Sequence, residues 1–182
     1  MKYQYLKNWK KERLLRNLHC SSKVAVIDNT SLTKRLESIK DNNFKVKVLS
    51  QKVIYTSKFI FDRKLKNFQG YNIARTVSIE SNNCPTITAI TLYPCRFLSG
   101  RERFIKLLGN KSLGAYILNP RRFKKYYVSY KIIQNEIHRI VVYIFKNKKI
   151  LVDEIFPMFF RYKDLSLLQA HIKAKSNETY LY

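Results

Sequence analysis

The sequence has little glycine and little proline, with four residues of each among 182. Loops that cradle phosphate groups need several glycines close together, because a residue without a side chain lets the backbone approach the phosphate. The chain contains no Gly-x-Gly-x-x-Gly, no Walker sequence and no Gly-x-Ser-x-Gly. The sequence therefore offers no visible cradle for a nucleotide cofactor.

Cysteine and histidine are also scarce, with three residues of each. They are scattered, they form no Cys-x-x-Cys pair, and their spacing matches no common set of metal ligands. We therefore expect no metal site. The odd number of cysteines favours a reducing compartment over a disulfide framework.

Long apolar runs are missing as well. No run approaches the roughly 20 residues that a membrane-spanning helix requires. The N-terminus is basic but lacks the apolar segment of a secretory signal. We therefore expect a protein that neither spans a membrane nor is secreted.

Acidic residues are few: 12 stand against 36 lysines and arginines, and the formal net charge is +24. Such a charge usually suggests a nucleic-acid partner. Here the lysines are spread along the whole chain, and the high content of Lys, Asn, Ile, Tyr and Phe is typical of AT-rich codons. Binding to RNA therefore remains a minor alternative, and attraction of small anions is the milder expectation.

What the chain does contain is a series of alternating, β-branched segments flanked by helical ones. Helices are predicted over 3–18, from 29 onward, over 99–108 with Ser99 and Glu102 as a capping box, and over 113–118. Strands are predicted over 44–48, 53–55, 71–79, 86–93, 126–133, 137–145 and 150–156, and 56–70 is predicted as a loop or edge region. Consecutive hairpins with flanking helices indicate an antiparallel sheet in an α+β domain. We expect one domain over 1–160 and a basic tail over 161–182 that could add a helix.

Arg75 lies on the apolar face of a predicted strand. In 71–79 the odd positions are apolar apart from Arg75, so its guanidinium shares their face. An unpaired charge on a core face is costly, and arginine tolerates burial when a carboxylate or phosphate meets its donors. We therefore expect an anion at Arg75, supplied by a neighbouring side chain or by a ligand.

The last predicted strand carries the opposite charge in the same kind of position. Glu154 shares a face with Val152 and Phe156, whereas Asp153 points to the other face. From this pattern alone, a structural ion pair between Glu154 and Arg75 is the favoured interpretation, and a ligand between them is the alternative. His138 lies in a predicted strand and is interpreted as a sheet residue rather than a catalyst.

Three stretches resemble the chorismate lyase family. The segment 29–36, Asn-Thr-Ser-Leu-Thr-Lys-Arg-Leu, resembles one near the start of the bacterial enzymes. The block 75–118 can be laid against the family's central block without a gap, and its Leu-Gly-Asn-Lys-Ser-Leu-Gly string at 108–114 is similar to the family motif Leu-Gly-x-x-Pro-Leu-Gly. The segment 150–157 is similar to the closing strand with its glutamate. The resemblance covers about 24–157 and is strongest to the plastid-encoded members of red algae.

This resemblance implies an antiparallel sheet with helices packed on one side and an internal ligand pocket. It also implies cleavage of chorismate to 4-hydroxybenzoate and pyruvate without a metal or an organic cofactor. Arg75 matches the arginine that binds a substrate carboxylate, and Glu154 matches the acid that meets the ring oxygen. The other implied substrate contacts are Leu32, Leu113 and Gly114. To these we add Arg139 as a candidate for the second carboxylate.

The leading hypothesis is a chorismate pyruvate-lyase that supplies 4-hydroxybenzoate for quinone-type biosynthesis. The alternatives are a catalytically silent protein of the same fold that binds a small aromatic acid and, less favoured, a basic RNA-associated protein. Four positions depart from the bacterial pattern: Thr76 replaces an acidic residue, Ile90 an arginine, Leu32 a frequent methionine and Ser112 the usual proline. The first two bear most on catalytic rate and substrate identity. We expect chorismate and 4-hydroxybenzoate as ligands, no dedicated nucleic-acid binding, and a monomer in the plastid if plastid-encoded, or otherwise in the cytoplasm.

Overall fold

The structure, a computed structural model, describes residues 15, 18, 20–27, 32–37, 43–57, 63–111, 113–117 and 123–163. Its α-helices are short: α1 (Cys20–Ile27), α2 (Leu32–Glu37) and α3 (Leu113–Ile117). Stretches of 3-10 helix cover Arg63–Phe68, Cys95–Phe97 and Gly100–Leu107. The strands are β1 (Lys45–Thr56), β2 (Gly70–Ser81), β3 (Cys84–Pro94), β4 (Lys124–Ile133), β5 (Glu136–Phe145) and β6 (Lys148–Pro157).

The six strands form one sheet in the order β1-β2-β3-β6-β5-β4, and each neighbouring pair is antiparallel. The chain thus makes two meanders of three strands, and the last strand of each, β3 and β6, join them at the centre of the sheet. The predicted α+β class and antiparallel sheet are confirmed. The central position of β3 and β6 brings the two halves of the sequence together on one surface.

Short turns fix the register of the hairpins. Ser81 pairs with Cys84 across the turn between β2 and β3, where the sequence predicts a turn. Between β4 and β5, Gln134 and Asn135 have φ of 46° and 65°. Two successive left-handed residues are typical of a type I′ turn, whose twist matches that of the flanking strands. These turns determine which side chains of adjacent strands share a face.

The α-helices pack on one face of the sheet. Ala25 and Val26 of α1 and Leu36 of α2 are buried against Ile87 and Phe156 of the sheet. On the same face, α3 and the 3-10 helix Gly100–Leu107 pack against Tyr93 and Ile150. The opposite face is covered at one end by the 3-10 helix Arg63–Phe68, whose Leu65 and Phe68 are buried against Leu92 and Leu151. The predicted placement of the helices on one side therefore holds for α1, α2 and α3.

Several local predictions differ from the structure. The helix predicted over 3–18 and the tail 161–182 lie largely outside the described residues, whereas α1 has no counterpart among the predictions. The segment 99–108 winds as 3-10 helix rather than as α-helix, and Ser99 makes no side-chain capping hydrogen bond. The predicted capping box is wrong because Glu102 is buried and bonded to Lys148 of β6 instead. No helix among the described residues is long and apolar enough to cross a bilayer.

Candidate active site

A cavity lies between the sheet and the helices α2 and α3. Its floor is formed by the strands that meet at the centre of the sheet, with Val77 of β2 and Val152 of β6 among the contacts. Its roof includes Leu32 of α2 and Leu113 and Gly114 of α3. The volume of the cavity, taken as the space open to a water-sized sphere, is about 70 Å³. A single water needs roughly 10–15 Å³ by that measure, so the cavity has room for a small organic molecule.

Arg75 lies at one end of this cavity and is buried, with 3% of its surface exposed. Its guanidinium donates to Gln51 Oε1 at 3.0 Å, to the carbonyl of Gly109 at 2.6 Å and to the carbonyl of Lys111 at 3.3 Å. All three acceptors are uncharged. Within the described part of the chain, no carboxylate lies at ion-pair distance from Arg75. Burial lowers the pKa of Arg75 from its usual value, which is the direction expected for a buried cation without a counter-charge.

The loop before α3 shapes the surroundings of Arg75. Gly109 has a φ of +51°, a conformation that side chains disfavour, and this turn directs its carbonyl to the guanidinium. Gln51 of β1 also donates from Nε2 to the carbonyl of Lys106 at 3.0 Å. Its amide therefore connects Arg75 to the 3-10 helix Gly100–Leu107. The arginine is held in place by neutral groups, and its charge remains available to an anion.

Glu154 lies on the same face of the sheet, but apart from Arg75. Glu154 on β6 pairs with Ala89, and Arg75 on β2 pairs with Thr91, so β3 separates the two residues. Two strand spacings, together with the two-residue offset between Ala89 and Thr91, place their backbones roughly 12 Å apart. Among the described residues no ion pair joins them. The ion pair favoured by the residue pattern alone is therefore wrong, and the two charges lie on different strands around one cavity.

Arg139 is the partner of Glu154. The two residues are direct register partners on β5 and β6, and Arg139 Nε donates to Glu154 Oε2 at 2.6 Å. A second guanidinium nitrogen, Nη1, donates to the carbonyl of Val26 at 2.7 Å. The guanidinium lies over the ring of Phe156, with 5.4 Å between the Arg139 Cζ atom and the ring centroid. Burial by itself would lower the pKa of Arg139, but the charge and hydrogen bond of Glu154 outweigh it and raise that pKa.

The expected contact of Arg139 with a substrate carboxylate is not what the geometry favours. Arg139 is absent from the cavity lining, whereas Glu154, which it holds, is part of that lining. The physical reason is the register of β5 and β6, which places the two side chains directly beside each other. We therefore interpret Arg139 as a residue that positions Glu154.

Four polar residues of the lining were not among the predicted site residues: Thr33, Thr91, Lys111 and Tyr143. For Tyr143 a signal exists, because it alternates with Arg139 and Val141 along β5 and so shares their face. Gln51 was also missed. Its contact with Arg75 joins residues 24 apart in the sequence, and nothing in the local pattern of β1 distinguishes this glutamine from an exposed polar residue.

The opposite face of the sheet carries other polar residues. His138 Nδ1 lies 3.1 Å from Asp153 Oδ2, and both side chains are buried. Thr76 and Ile90, which depart from the bacterial pattern, are cross-strand partners. Each is adjacent in sequence to a cavity residue, Arg75 or Thr91, so both belong to the opposite face of the sheet. Neither residue belongs to the cavity lining. Among the described residues no three His, Cys, Asp or Glu side chains are grouped as metal ligands.

The arrangement can therefore hold a small molecule that has an anionic group at Arg75, an apolar body, and an oxygen function near Glu154. No curated protein matches this chain. The sequence profile of the family described as chorismate lyase matches residues 6–163, which include every residue of the candidate site. The chain belongs to the chorismate lyase family.

Proposed function

We propose that the protein is a chorismate pyruvate-lyase, which cleaves chorismate to 4-hydroxybenzoate and pyruvate. The observation that carries this proposal is the buried guanidinium of Arg75, which is surrounded by neutral acceptors in a cavity that also contains Glu154. A buried cation without a counter-charge is costly unless a ligand supplies the anion. Membership of the family supports chorismate as that ligand.

The proposed reaction needs placement more than a strong catalyst. The bond between the ring carbon and the enolpyruvyl oxygen breaks, the ring loses a proton and becomes aromatic, and the enolpyruvyl group takes up a proton to leave as pyruvate. No water and no oxidant is consumed, so the atoms balance. Because aromatisation drives the reaction, orientation and charge stabilisation are the main contributions required of the protein.

Each charged residue then has a separate role. Arg75 binds the ring carboxylate through its fork of donors, which matches carboxylate geometry. Glu154 hydrogen-bonds an oxygen on the far side of the ring and assists the proton movements there. Arg139 holds the Glu154 carboxylate in place. Leu32 and Leu113 lie on the opposite side of the cavity from the sheet and enclose the apolar ring.

The test is the release of pyruvate from chorismate, measured with a coupled lactate dehydrogenase reaction. We expect the parent protein to release pyruvate and Arg75→Ala to lose at least about 30-fold in kcat/KM, since removing one partner of a buried charged contact costs about 2–5 kcal/mol. Glu154→Gln should lose activity mainly in kcat. The matched control is Arg103→Ala, which removes the same charge from an exposed position and should change kcat/KM less than twofold.

Two further measurements keep this test decisive. Circular dichroism and thermal unfolding show whether Arg75→Ala remains folded. The variant Arg75→Lys keeps the positive charge but loses the forked arrangement of guanidinium donors, and it should retain partial binding of chorismate. A parent protein that releases no pyruvate contradicts the proposal. So does an Arg75→Ala variant that remains folded and fully active.

One observation favours a second candidate, a protein that binds an aromatic acid without turnover. Glu154 Oε2 already accepts a hydrogen bond of 2.6 Å from Arg139, so this oxygen is engaged before any ligand binds. Calorimetric titration with 4-hydroxybenzoate distinguishes the two candidates. Tight binding without any pyruvate release from chorismate would favour the binding protein.

We also propose a plastid setting in which the product feeds quinone-type biosynthesis. The support is compositional: the abundance of Lys, Asn, Ile, Tyr and Phe is typical of AT-rich genes. Immunolocalisation tests this proposal, and a signal outside the plastid would contradict it.

A further inference from the structure

Tyr143 brings a hydroxyl group to the cavity from the end opposite Arg75. It lies on β5 and pairs with Ile150 of β6. Two strands, β3 and β6, separate it from Arg75 on β2. Its ring is partly buried against the core that includes Ile150, and its side chain lines the cavity together with Glu154 and Val152.

The hydroxyl of Tyr143 has no hydrogen-bond partner among the described residues. Tyr93, the fully buried tyrosine of the same core, differs, because its hydroxyl donates to the carbonyl of Phe97 at 3.1 Å. Burial, together with the negative charge of Glu154, raises the pKa of Tyr143 above its usual value. The group is therefore a protonated hydroxyl at neutral pH and can donate a hydrogen bond to an acceptor in the cavity.

A dicarboxylate ligand needs a donor of this kind. Chorismate carries a ring carboxylate and an enolpyruvyl carboxylate, and Arg75 can bind only one of them in the proposed orientation. Arg139, the earlier candidate for the second, is engaged by Glu154 and the carbonyl of Val26. Lys111 lies at the Arg75 end, where its own carbonyl accepts from that guanidinium. Tyr143 is the donor that reaches the cavity from the other end.

We propose that the Tyr143 hydroxyl donates a hydrogen bond to the enolpyruvyl carboxylate of the substrate and so distinguishes substrate from product. This proposal rests on the proposed function, because it takes chorismate as the ligand. Tyr143 is then a specificity-determining residue. Its contact is made with chorismate and is absent with 4-hydroxybenzoate, which has lost the enolpyruvyl group.

The experiment compares two ligands on two tyrosine variants. In Tyr143→Phe the ring remains and only the hydroxyl is lost. We expect KM for chorismate to rise about tenfold, in line with the loss of one charge-assisted hydrogen bond, and the Kd of 4-hydroxybenzoate from calorimetry to change less than twofold. The matched control is Tyr93→Phe, which removes a buried hydroxyl bonded to the backbone. It should lower the melting temperature and leave the ratio of the two affinities unchanged.

The outcomes separate this proposal from the proposed function. A parent protein that binds chorismate but releases no pyruvate contradicts the lyase activity, and Tyr143 is then tested by the Kd of chorismate in the same comparison. If Tyr143→Phe binds both ligands more weakly by the same factor, or binds both as tightly as the parent, the proposed role of Tyr143 is overturned. A parent protein that binds neither ligand overturns both proposals.

Discussion

β5 and β6 each carry two ionisable residues in succession, and the pleat of the sheet directs the two side chains of each strand to opposite faces. Arg139 and Glu154 are direct partners on the cavity face, whereas His138 and Asp153 meet on the opposite face. Each strand therefore contributes one ionisable side chain to each face of the sheet. Because successive side chains of a strand point to opposite faces, neighbouring residues in the sequence acquire different environments. On this basis Glu154 belongs to the site and Asp153 to the structural support behind it.

The buried pair on the far face gives a prediction about pH. Burial, opposed in part by the hydrogen bond and charge of His138, raises the pKa of Asp153. A carboxyl whose folded-state pKa is raised contributes stability below its unfolded-state pKa and loses it as pH rises through the folded-state pKa. An asparagine side chain cannot titrate, so the free energy of unfolding of Asp153→Asn relative to the parent should increase as pH rises from the acidic range to neutrality.

Urea denaturation of both proteins at several pH values measures this difference. Similar denaturant slopes in the two proteins serve as the control that the unfolded states are comparable. A difference that decreases with rising pH would show that the charged form of Asp153 is favoured in the folded protein, which would contradict the assigned direction.

At the scale of elements, the turn between the 3-10 helix Gly100–Leu107 and α3 is the part of the fold most closely tied to the site. Lys111 N donates to the carbonyl of Leu108 at 2.9 Å, which closes the turn. The carbonyls of Gly109 and Lys111 then point to Arg75, and α3 follows with Leu113 and Gly114 in the lining. One short segment thus supplies both backbone acceptors for the arginine and a wall of the cavity.

Gly109 allows a specific test of this turn. A Cβ at this position would meet no atom within 4 Å, so the cost of Gly109→Ala comes only from the backbone φ of +51°. We expect a loss of about 1 kcal/mol in the free energy of unfolding, measured by urea denaturation, and weaker binding of 4-hydroxybenzoate. Gly109→Asn is the matched control and should lose less, because asparagine tolerates left-handed conformations. Equal losses in both variants would contradict this explanation.

At the scale of the whole molecule, the net charge of +24 surrounds a cavity that contains a buried cation. A field of this sign attracts small anions over distances comparable to the Debye length, which falls from about 10 Å at 0.1 M salt to about 3 Å at 1 M. The excess of basic residues therefore has a physical consequence that does not require a nucleic-acid partner. It increases the local concentration of anionic ligands.

Salt dependence measures this effect. We expect the association rate of 4-hydroxybenzoate, followed by stopped-flow fluorescence, to fall several-fold between about 0.02 M and about 0.5 M salt. Chorismate carries two negative charges, so the slope of its logarithmic rate against the square root of ionic strength should be about twice as steep. Association rates that are independent of salt for both ligands would show that the net charge does not steer them.

The sequence by itself determined the class of fold and two of the charged residues of the cavity, Arg75 and Glu154, but not Lys111. The alternation of 71–79 and of 150–156 places Arg75 and Glu154 on apolar faces, and the motifs of 29–36 and 108–114 carry the family resemblance. The alternation and the motifs are both local features of the sequence. In particular, every second side chain of a strand points to the same face of the sheet, whichever strand lies beside it. The α+β class, the hairpin turn at 81–85 and the family followed from such local information.

Only the tertiary structure decided which groups these charges meet. Arg75 contacts Gln51 and the carbonyls of a distant turn, and Glu154 contacts Arg139, because strand order and register place them there. Helix α1 was missed for a related reason, since its eight residues are too few to form a stable helix by propensity and are stabilised by packing on the sheet. Pairing between strands depends on contacts between distant parts of the chain, which local periodicity does not contain.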